Sequence, residues 1–162
     1  LAIRVARTLN ATDVIEALRL RNAAAVLVTH DREEALALGD RVAVMSAGRM
    51  LQIDRPDEVY ERPSDRFVAT FLGEASFLAD PDDPGLMMMV RPHDLSILVD
   101  GGNDQVTARR YLGAAWRYCV RRADGTDVDV DLPGGPGSVP LRVGDACTVV
   151  VDPGHPLHRL PA

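Results

Sequence analysis

A continuous apolar segment, residues 24–29, is the feature that most restricts how this chain can fold. Its sequence, AAVLVT, has no alternation of apolar and polar residues. A strand with one solvated face alternates, so this pattern predicts a strand covered on both faces, as in a parallel sheet. A helical pattern at 12–21 precedes it, and a helix that leads into such a strand indicates part of an α/β domain.

The residues after this strand predict a capped helix. His30 and Asp31 end the apolar segment, and a helical pattern follows at 32–38. Asp31 can cap that helix, Glu34 lies three residues further on, and Gly39 favours its end. A cap and a solvated helix face explain the two carboxylates better than general acid–base catalysis does. Taken alone, His30 is also better explained as a structural residue at a strand end.

The next segments predict a hairpin and two more helices. Two strands, 41–45 and 49–53, are joined by a turn in which Gly48 supplies the conformational freedom. Pro56 favours the start of one helix and Ser64 the start of another. In the second of these helices four apolar residues predict one buried stripe: Phe67, Val68, Phe71 and Leu72.

A change of composition near residue 80 predicts a second domain. The sequence DPDDPG at 80–85 is typical of a linker, and short β-like segments follow it. These segments are 86–90, 95–99, 106–112, 116–122, 127–132 and 147–151. Short strands at this spacing predict a small barrel or sandwich. We therefore divide the chain into residues 1–78, a linker at 79–85, and a β domain at 86–162.

Composition excludes some classes of function. The net charge of −6 argues against a nucleic-acid partner, which would require a basic face. The chain has no run of about 18 apolar residues, so no membrane-spanning helix is predicted. The default compartment is the cytoplasm.

Cys119 and Cys147 lie in apolar segments, which favours buried thiols. His155 and His158 have a spacing that could hold a metal, but no third ligand lies nearby, so no metal site is predicted.

Two longer segments carry a resemblance to a known family. The segment VLVTHDREEALALGDRVAVMSAGRMLQIDRPDEVYERPSDRFVATFLG resembles the end of the ATPase subunit of ABC importers of the iron(III), spermidine, sulfate and maltose type. This similarity covers about residues 12–78. VRPHDLSI at 90–97 and the segment 109–133 resemble the TOBE domain of those subunits, an oligomer-binding-type barrel. Within VRPHDLSI, Arg91 and Asp94 are expected to shape a turn rather than to contact a ligand.

The resemblance implies a role for His30. It identifies His30 as the switch histidine, or H-loop residue, which contacts the γ-phosphate of ATP and the attacking water in the complete protein. Phosphoryl transfer depends mainly on positioning and charge stabilisation, and an imidazole can supply both. The implied fold is an α/β remnant of a P-loop ATPase domain followed by a small all-β, OB-like TOBE barrel.

The resemblance also implies partners, a location and a substrate class. Expected for the complete protein are ATP, Mg²⁺, two transmembrane permease subunits, a second ATPase subunit, and indirectly a solute-binding protein. The implied location is the cytoplasmic face of the bacterial plasma membrane. The appearance of residues 109–133 gives a slight preference for iron(III) as the solute.

The sequence departs from the family in ways that predict an inactive chain. A P-loop requires the pattern G-x-x-x-x-G-K-[ST], and all 18 basic residues here are arginine. The LSGGQ-type signature and the adjacent Asp-Glu of the Walker B strand are also absent. The chain is therefore expected to be a C-terminal fragment, with no nucleotide bound and no ATPase activity by itself. The alternative hypothesis is a stand-alone barrel that binds a regulatory ligand or a small oxyanion.

Overall fold

The computed structural model describes residues 11–21, 23–135, 141–154 and 157–162. These residues belong to two compact units, one ending at Val59 and the other beginning at Tyr60. The described elements of the first unit are α1 (Ala11–Leu20), α2 (Arg32–Leu38), β1 (Val42–Ser46) and β2 (Arg49–Asp54). A third helix, α3 (Pro56–Glu61), contains the division between the units.

The cap predicted for α2 is confirmed. Asp31 has an extended backbone, and its side chain accepts hydrogen bonds from the amides of Glu33 at 2.9 Å and Glu34 at 3.1 Å. Gly39 follows the last turn and donates its amide to the carbonyl of Ala35. The first-turn acids also suit the positive end of the helix dipole.

The hairpin predicted around Gly48 is confirmed too. β1 and β2 pair antiparallel, and the two turn residues, Ala47 and Gly48, have φ values of 48° and 74°. Positive φ at both positions is what a tight hairpin with right-handed strand twist requires. Val42 and Val44 point to the buried face of the hairpin.

The strand predicted at 24–29 is wrong for this structure. Residues 23–29 form no regular element, and the side chains of Val26 and Val28 are 92% and 91% exposed. A strand exists only when its amides and carbonyls have a ladder partner. Within the described part of the first unit, β1 and β2 pair with each other and no strand lies beside 24–29. The parallel sheet expected for an α/β domain is therefore not present among these residues.

The second unit is mostly β-structure. It contains α4 (Arg66–Leu72) and a 3₁₀ turn at Pro92–Asp94. Its strands are β3 (Ser76–Ala79), β4 (Leu86–Val90), β5 (Leu95–Leu98), β6 (Asp104–Tyr111), β7 (Ala115–Arg121), β8 (Asp127–Pro133), β9 (Ala146–Val151) and β10 (His158–Pro161). All six β segments predicted between 86 and 151 are confirmed. β3 and β10 are short, and neither was predicted from the sequence.

The strands form two antiparallel sheets. One has the order β10-β4-β3 and the other the order β5-β9-β6-β7-β8. Because β3 pairs directly with β4, residues 80–85 are a turn between neighbouring strands rather than a linker between domains. The compact unit consequently begins at Tyr60, earlier than the predicted boundary after residue 78.

The core of the second unit is aliphatic, with one tyrosine. Alternation in β8 turns Val128 and Val130 inward, where they are 1% and 0% exposed. They pack with Leu78, Val90, Leu95, Val106, Tyr118, Val120, Leu141 and Cys147. The Tyr118 hydroxyl accepts a hydrogen bond from the Leu141 amide, which satisfies that buried amide. Cys147 is a buried thiol, as predicted, and burial raises its pKa.

Helix α4 covers the smaller sheet with a different face from the one predicted. Ala69 packs against Met89 and Leu160, and Val68 and Leu72 are also buried. Phe67 and Phe71 are nearly half exposed and stack on each other with ring centroids 5.8 Å apart. No helix among the described residues is long and apolar enough to cross a bilayer.

Two ion pairs connect β7 and β8 on the outer face of the larger sheet. Arg117 binds Asp131 through two hydrogen bonds of 2.7 Å, and the pair is about four-fifths buried. Arg121 binds Asp127 in the same cross-strand geometry, but both side chains are about half exposed. Solvent screens the exposed pair more strongly. The pairs differ in burial and in one further contact, because Arg117 also forms an ion pair with Glu74.

We predict that double-mutant cycles will separate these two pairs. A cycle of Arg117→Ala with Asp131→Ala should give a coupling free energy of about 1 kcal/mol in urea unfolding. The matched cycle of Arg121→Ala with Asp127→Ala should give a clearly smaller coupling. Equal couplings, or a larger one for the exposed pair, would show that burial does not set the strength of these ion pairs.

Candidate functional site

His30 lies on the surface of the first unit, in the connection between residues 23–29 and α2. Its side chain is exposed. The backbone on its C-terminal side is held by two sets of hydrogen bonds. The Thr29 hydroxyl accepts the amide of Asp31 at 3.0 Å, and the Asp31 carboxylate caps α2. The histidine is thus displayed to solvent from a constrained turn.

The described residues do not assemble a nucleotide site around His30. They contain no group of three or more His, Cys, Asp and Glu side chains arranged to hold a metal ion.

Two histidines near the end of the chain, His155 and His158, have a spacing that could hold a metal. His155 lies outside the described residues. His158 is half-buried, and its Nε2 donates a hydrogen bond of 2.9 Å to the carbonyl of Pro63. That contact gives His158 a structural role.

The second candidate region is the turn around Arg91, a buried polar site in the second unit. The Arg91 side chain donates hydrogen bonds to the carbonyls of Ala69 at 2.9 Å, Glu74 at 3.2 Å and Tyr60 at 2.8 Å. The residue is only 2% exposed. One buried guanidinium therefore joins α3, both sides of the α4 C-terminus and β4.

Several negative or electron-rich groups stabilise the charge of Arg91. Its guanidinium lies 4.1 Å from the centre of the Tyr60 ring, over the ring face. The Ala69 carbonyl belongs to the last turn of α4, the negative end of the helix dipole. Burial lowers the pKa of Arg91, while Tyr60, Asp94 and Glu61 act to raise it. Arginine stays charged even so, because its pKa begins above any physiological value.

Asp94 and Gly73 complete this arrangement. The Asp94 carboxylate accepts the backbone amide of Arg91 at 2.7 Å, which closes the 3₁₀ turn. This contact confirms that Arg91 and Asp94 shape the turn. Gly73 allows the close approach, because a Cβ there would lie 3.1 Å from an Arg91 terminal nitrogen and 3.2 Å from the Tyr60 ring.

The partners of both sites were not predicted from the sequence. Arg91 contacts backbone carbonyls, and a carbonyl is present at every residue, so Tyr60, Ala69 and Glu74 carry no sequence signal for that contact. Thr29 did carry a signal, since Thr and Ser commonly accept an amide two residues further on.

Comparison with known proteins identifies a family for the C-terminal part of the chain. Residues 88–157 match the family model described as TOBE domain. A spermidine/putrescine import ATP-binding protein from Pseudomonas aeruginosa is 37% identical over 142 residues, which covers 68% of this chain and 38% of the relative. One from Pseudomonas fluorescens is 33% identical over 162 residues, covering 80% of this chain and 44% of the relative.

A third relative is named for a different solute. A sulfate/thiosulfate import ATP-binding protein from Gloeobacter violaceus is 41% identical over 101 residues, covering 54% of this chain and 29% of the relative. The chain is a homologue of the ATP-binding subunits of ABC importers. This confirms the resemblance seen in the sequence. The chain spans less than half the length of each of these relatives.

Within this ABC-importer homologue, Arg91 connects the strands of the TOBE domain to helices that precede residue 88.

We predict that Arg91→Lys lowers the free energy of unfolding by about 3 kcal/mol. Lysine cannot donate to all three carbonyls in the geometry of the guanidinium fork, so buried carbonyls are left without donors. Urea unfolding measures the change.

The matched control is Arg121→Lys. Arg121 is a half-exposed arginine on β7 and should tolerate the change with little effect on the unfolding midpoint. Arg91→Lys with the same midpoint as Arg121→Lys would mean that the buried fork does not stabilise this unit.

Proposed function

We propose that this chain works as the C-terminal part of the ATP-binding subunit of an ABC importer, in which ATP hydrolysis drives solute uptake. One observation carries the proposal. The Pseudomonas fluorescens relative aligns with 80% of the chain. The TOBE match, residues 88–157, is less than half of it. The aligned share is larger than the TOBE match, so the similarity extends beyond residues 88–157.

His30 is the residue that this chain would contribute to catalysis. An exposed imidazole on a constrained turn can present a hydrogen-bond donor or acceptor to a group outside the chain. In the complete subunit we place it at the γ-phosphate of ATP. There it would orient the attacking water and stabilise charge that develops as the phosphoryl group is transferred.

The residues present do not form a nucleotide site by themselves. The sequence contains no lysine and hence no P-loop, and it has no apolar strand that ends in adjacent Asp-Glu, the carboxylates expected to hold Mg²⁺. ATP and Mg²⁺ are therefore proposed for the complete subunit only. His30 is the only residue of this chain assigned to ATP, and no metal ligand is assigned.

The proposed partners follow from the same homology. They are the transmembrane permease subunits, a second copy of the ATP-binding subunit and, indirectly, a solute-binding protein. The proposed location is the cytoplasmic face of the bacterial plasma membrane. We propose no nucleic-acid partner, since the net charge is −6.

The relatives do not support the slight preference for iron(III). Those described above are named for spermidine/putrescine and sulfate/thiosulfate import. We propose solute import without assigning the solute, because recognition belongs to other subunits of such systems. The stand-alone oxyanion-binding barrel is not favoured, since it would not require the ATPase-like residues shared with these relatives.

The proposal predicts a specific defect for His30→Ala in the complete, assembled transporter. ATP hydrolysis should fall by about 10²- to 10³-fold, the usual cost of one positioned transition-state donor. ATP affinity should stay nearly unchanged, because phosphate binding comes mainly from the P-loop and Mg²⁺. Steady-state hydrolysis and equilibrium ATP binding measure the two quantities.

Asp31→Ala is the neighbouring control. It removes the cap of α2 and should cost about 1 kcal/mol of stability, with a much smaller effect on hydrolysis. Near-normal turnover and transport for His30→Ala, with Asp31→Ala inactive, would show that the catalytic role was assigned to the wrong residue.

A further inference from the structure

We propose that Thr29 is a positioning residue for His30. This inference rests on the proposed function of His30 and adds a second residue to it. The Thr29 hydroxyl accepts the backbone amide of Asp31 at 3.0 Å. The resulting ring encloses one residue, His30, so the hydrogen bond restricts the φ and ψ angles of the histidine itself.

Asp31 connects this turn to a helix. Its amide is held by Thr29, while its carboxylate accepts the amides of Glu33 and Glu34 at the start of α2. The backbone from Thr29 to Glu34 is thus fixed by side-chain contacts. As a result, the direction of the Cα–Cβ bond of His30 is tied to the position of α2.

This hydrogen bond acts on the backbone of His30 from within the chain, and it is independent of any neighbours that the complete subunit adds to residues 24–28. The side chain of His30 is exposed, and the five residues from Ala24 to Val28 lie outside any strand and are exposed as well. A catalytic imidazole must lie at a defined position relative to the reacting atoms, and a small displacement lowers the rate of the catalysed reaction. The turn hydrogen bond supplies that position through the backbone, without contacting the substrate.

The test compares Thr29→Val with Thr29→Ser in the complete, assembled transporter. Valine keeps the shape of threonine but has no acceptor, whereas serine keeps the hydroxyl. We expect kcat for ATP hydrolysis to fall about tenfold in Thr29→Val, which corresponds to the loss of one hydrogen bond. KM for ATP should stay within about twofold of wild type, and Thr29→Ser should restore kcat to within about twofold.

A second readout does not involve turnover. Hydrogen exchange of the Asp31 amide in this chain should be about tenfold faster in Thr29→Val than in wild type, and nearly normal in Thr29→Ser. Faster exchange with serine rescue supports the turn hydrogen bond as the acting contact. Unchanged exchange in Thr29→Val overturns the inference.

The kinetic outcomes separate this inference from the function on which it rests. If His30→Ala is inactive but Thr29→Val has wild-type kcat, the function stands and the positioning role is refuted. Equal impairment of Thr29→Ser and Thr29→Val would also refute it, since the hydroxyl would not be the acting group. Normal hydrolysis by His30→Ala would refute both proposals.

Discussion

The buried guanidinium of Arg91 is the interaction that connects the end of α3 and helix α4 to the small sheet of the second unit. Its fork reaches carbonyls of Tyr60, Ala69 and Glu74, three points that lie before the first strand of the TOBE match. A buried charge is costly unless it is well bonded, so this site tolerates little rearrangement. The small sheet, α4 and the helix end at Tyr60 therefore form one body, which explains why the compact unit begins upstream of the matched domain.

The first unit shows the opposite condition, in which an apolar segment lacks the neighbours that its pattern demands. Val26 and Val28 are almost fully exposed, although their sequence is typical of a strand covered on both faces. Among the described residues β1 and β2 pair with each other, and residues 24–29 add to neither edge of this hairpin. Under the proposed function, those neighbours belong to the rest of the ATP-binding subunit. His30 is the next residue in the chain after the segment that they would cover.

Local signals predicted much of this fold, and long-range contacts account for what they missed. The cap at Asp31 and the turn at Gly48 depend on neighbouring residues, so their chemistry is readable in a single segment. The segment 24–29 has a strand pattern, but pairing depends on a partner that the pattern cannot guarantee. The fork of Arg91 ends on carbonyls up to 31 residues away in sequence, and these have no residue-type signature. For the candidate site, the family resemblance singled out His30, whereas the hydrogen bond between Thr29 and Asp31 was found only in the structure.

The most direct measurement is a structure of the complete ATP-binding subunit, assembled with its permease and bound to a non-hydrolysable ATP analogue. The account predicts that residues 24–29 are hydrogen-bonded to neighbouring strands and buried. It also predicts that the imidazole of His30 lies within about 3 Å of a γ-phosphate oxygen or of the water beside it. Residues 24–29 still unpaired and solvent-exposed, or His30 directed away from the nucleotide, would contradict it.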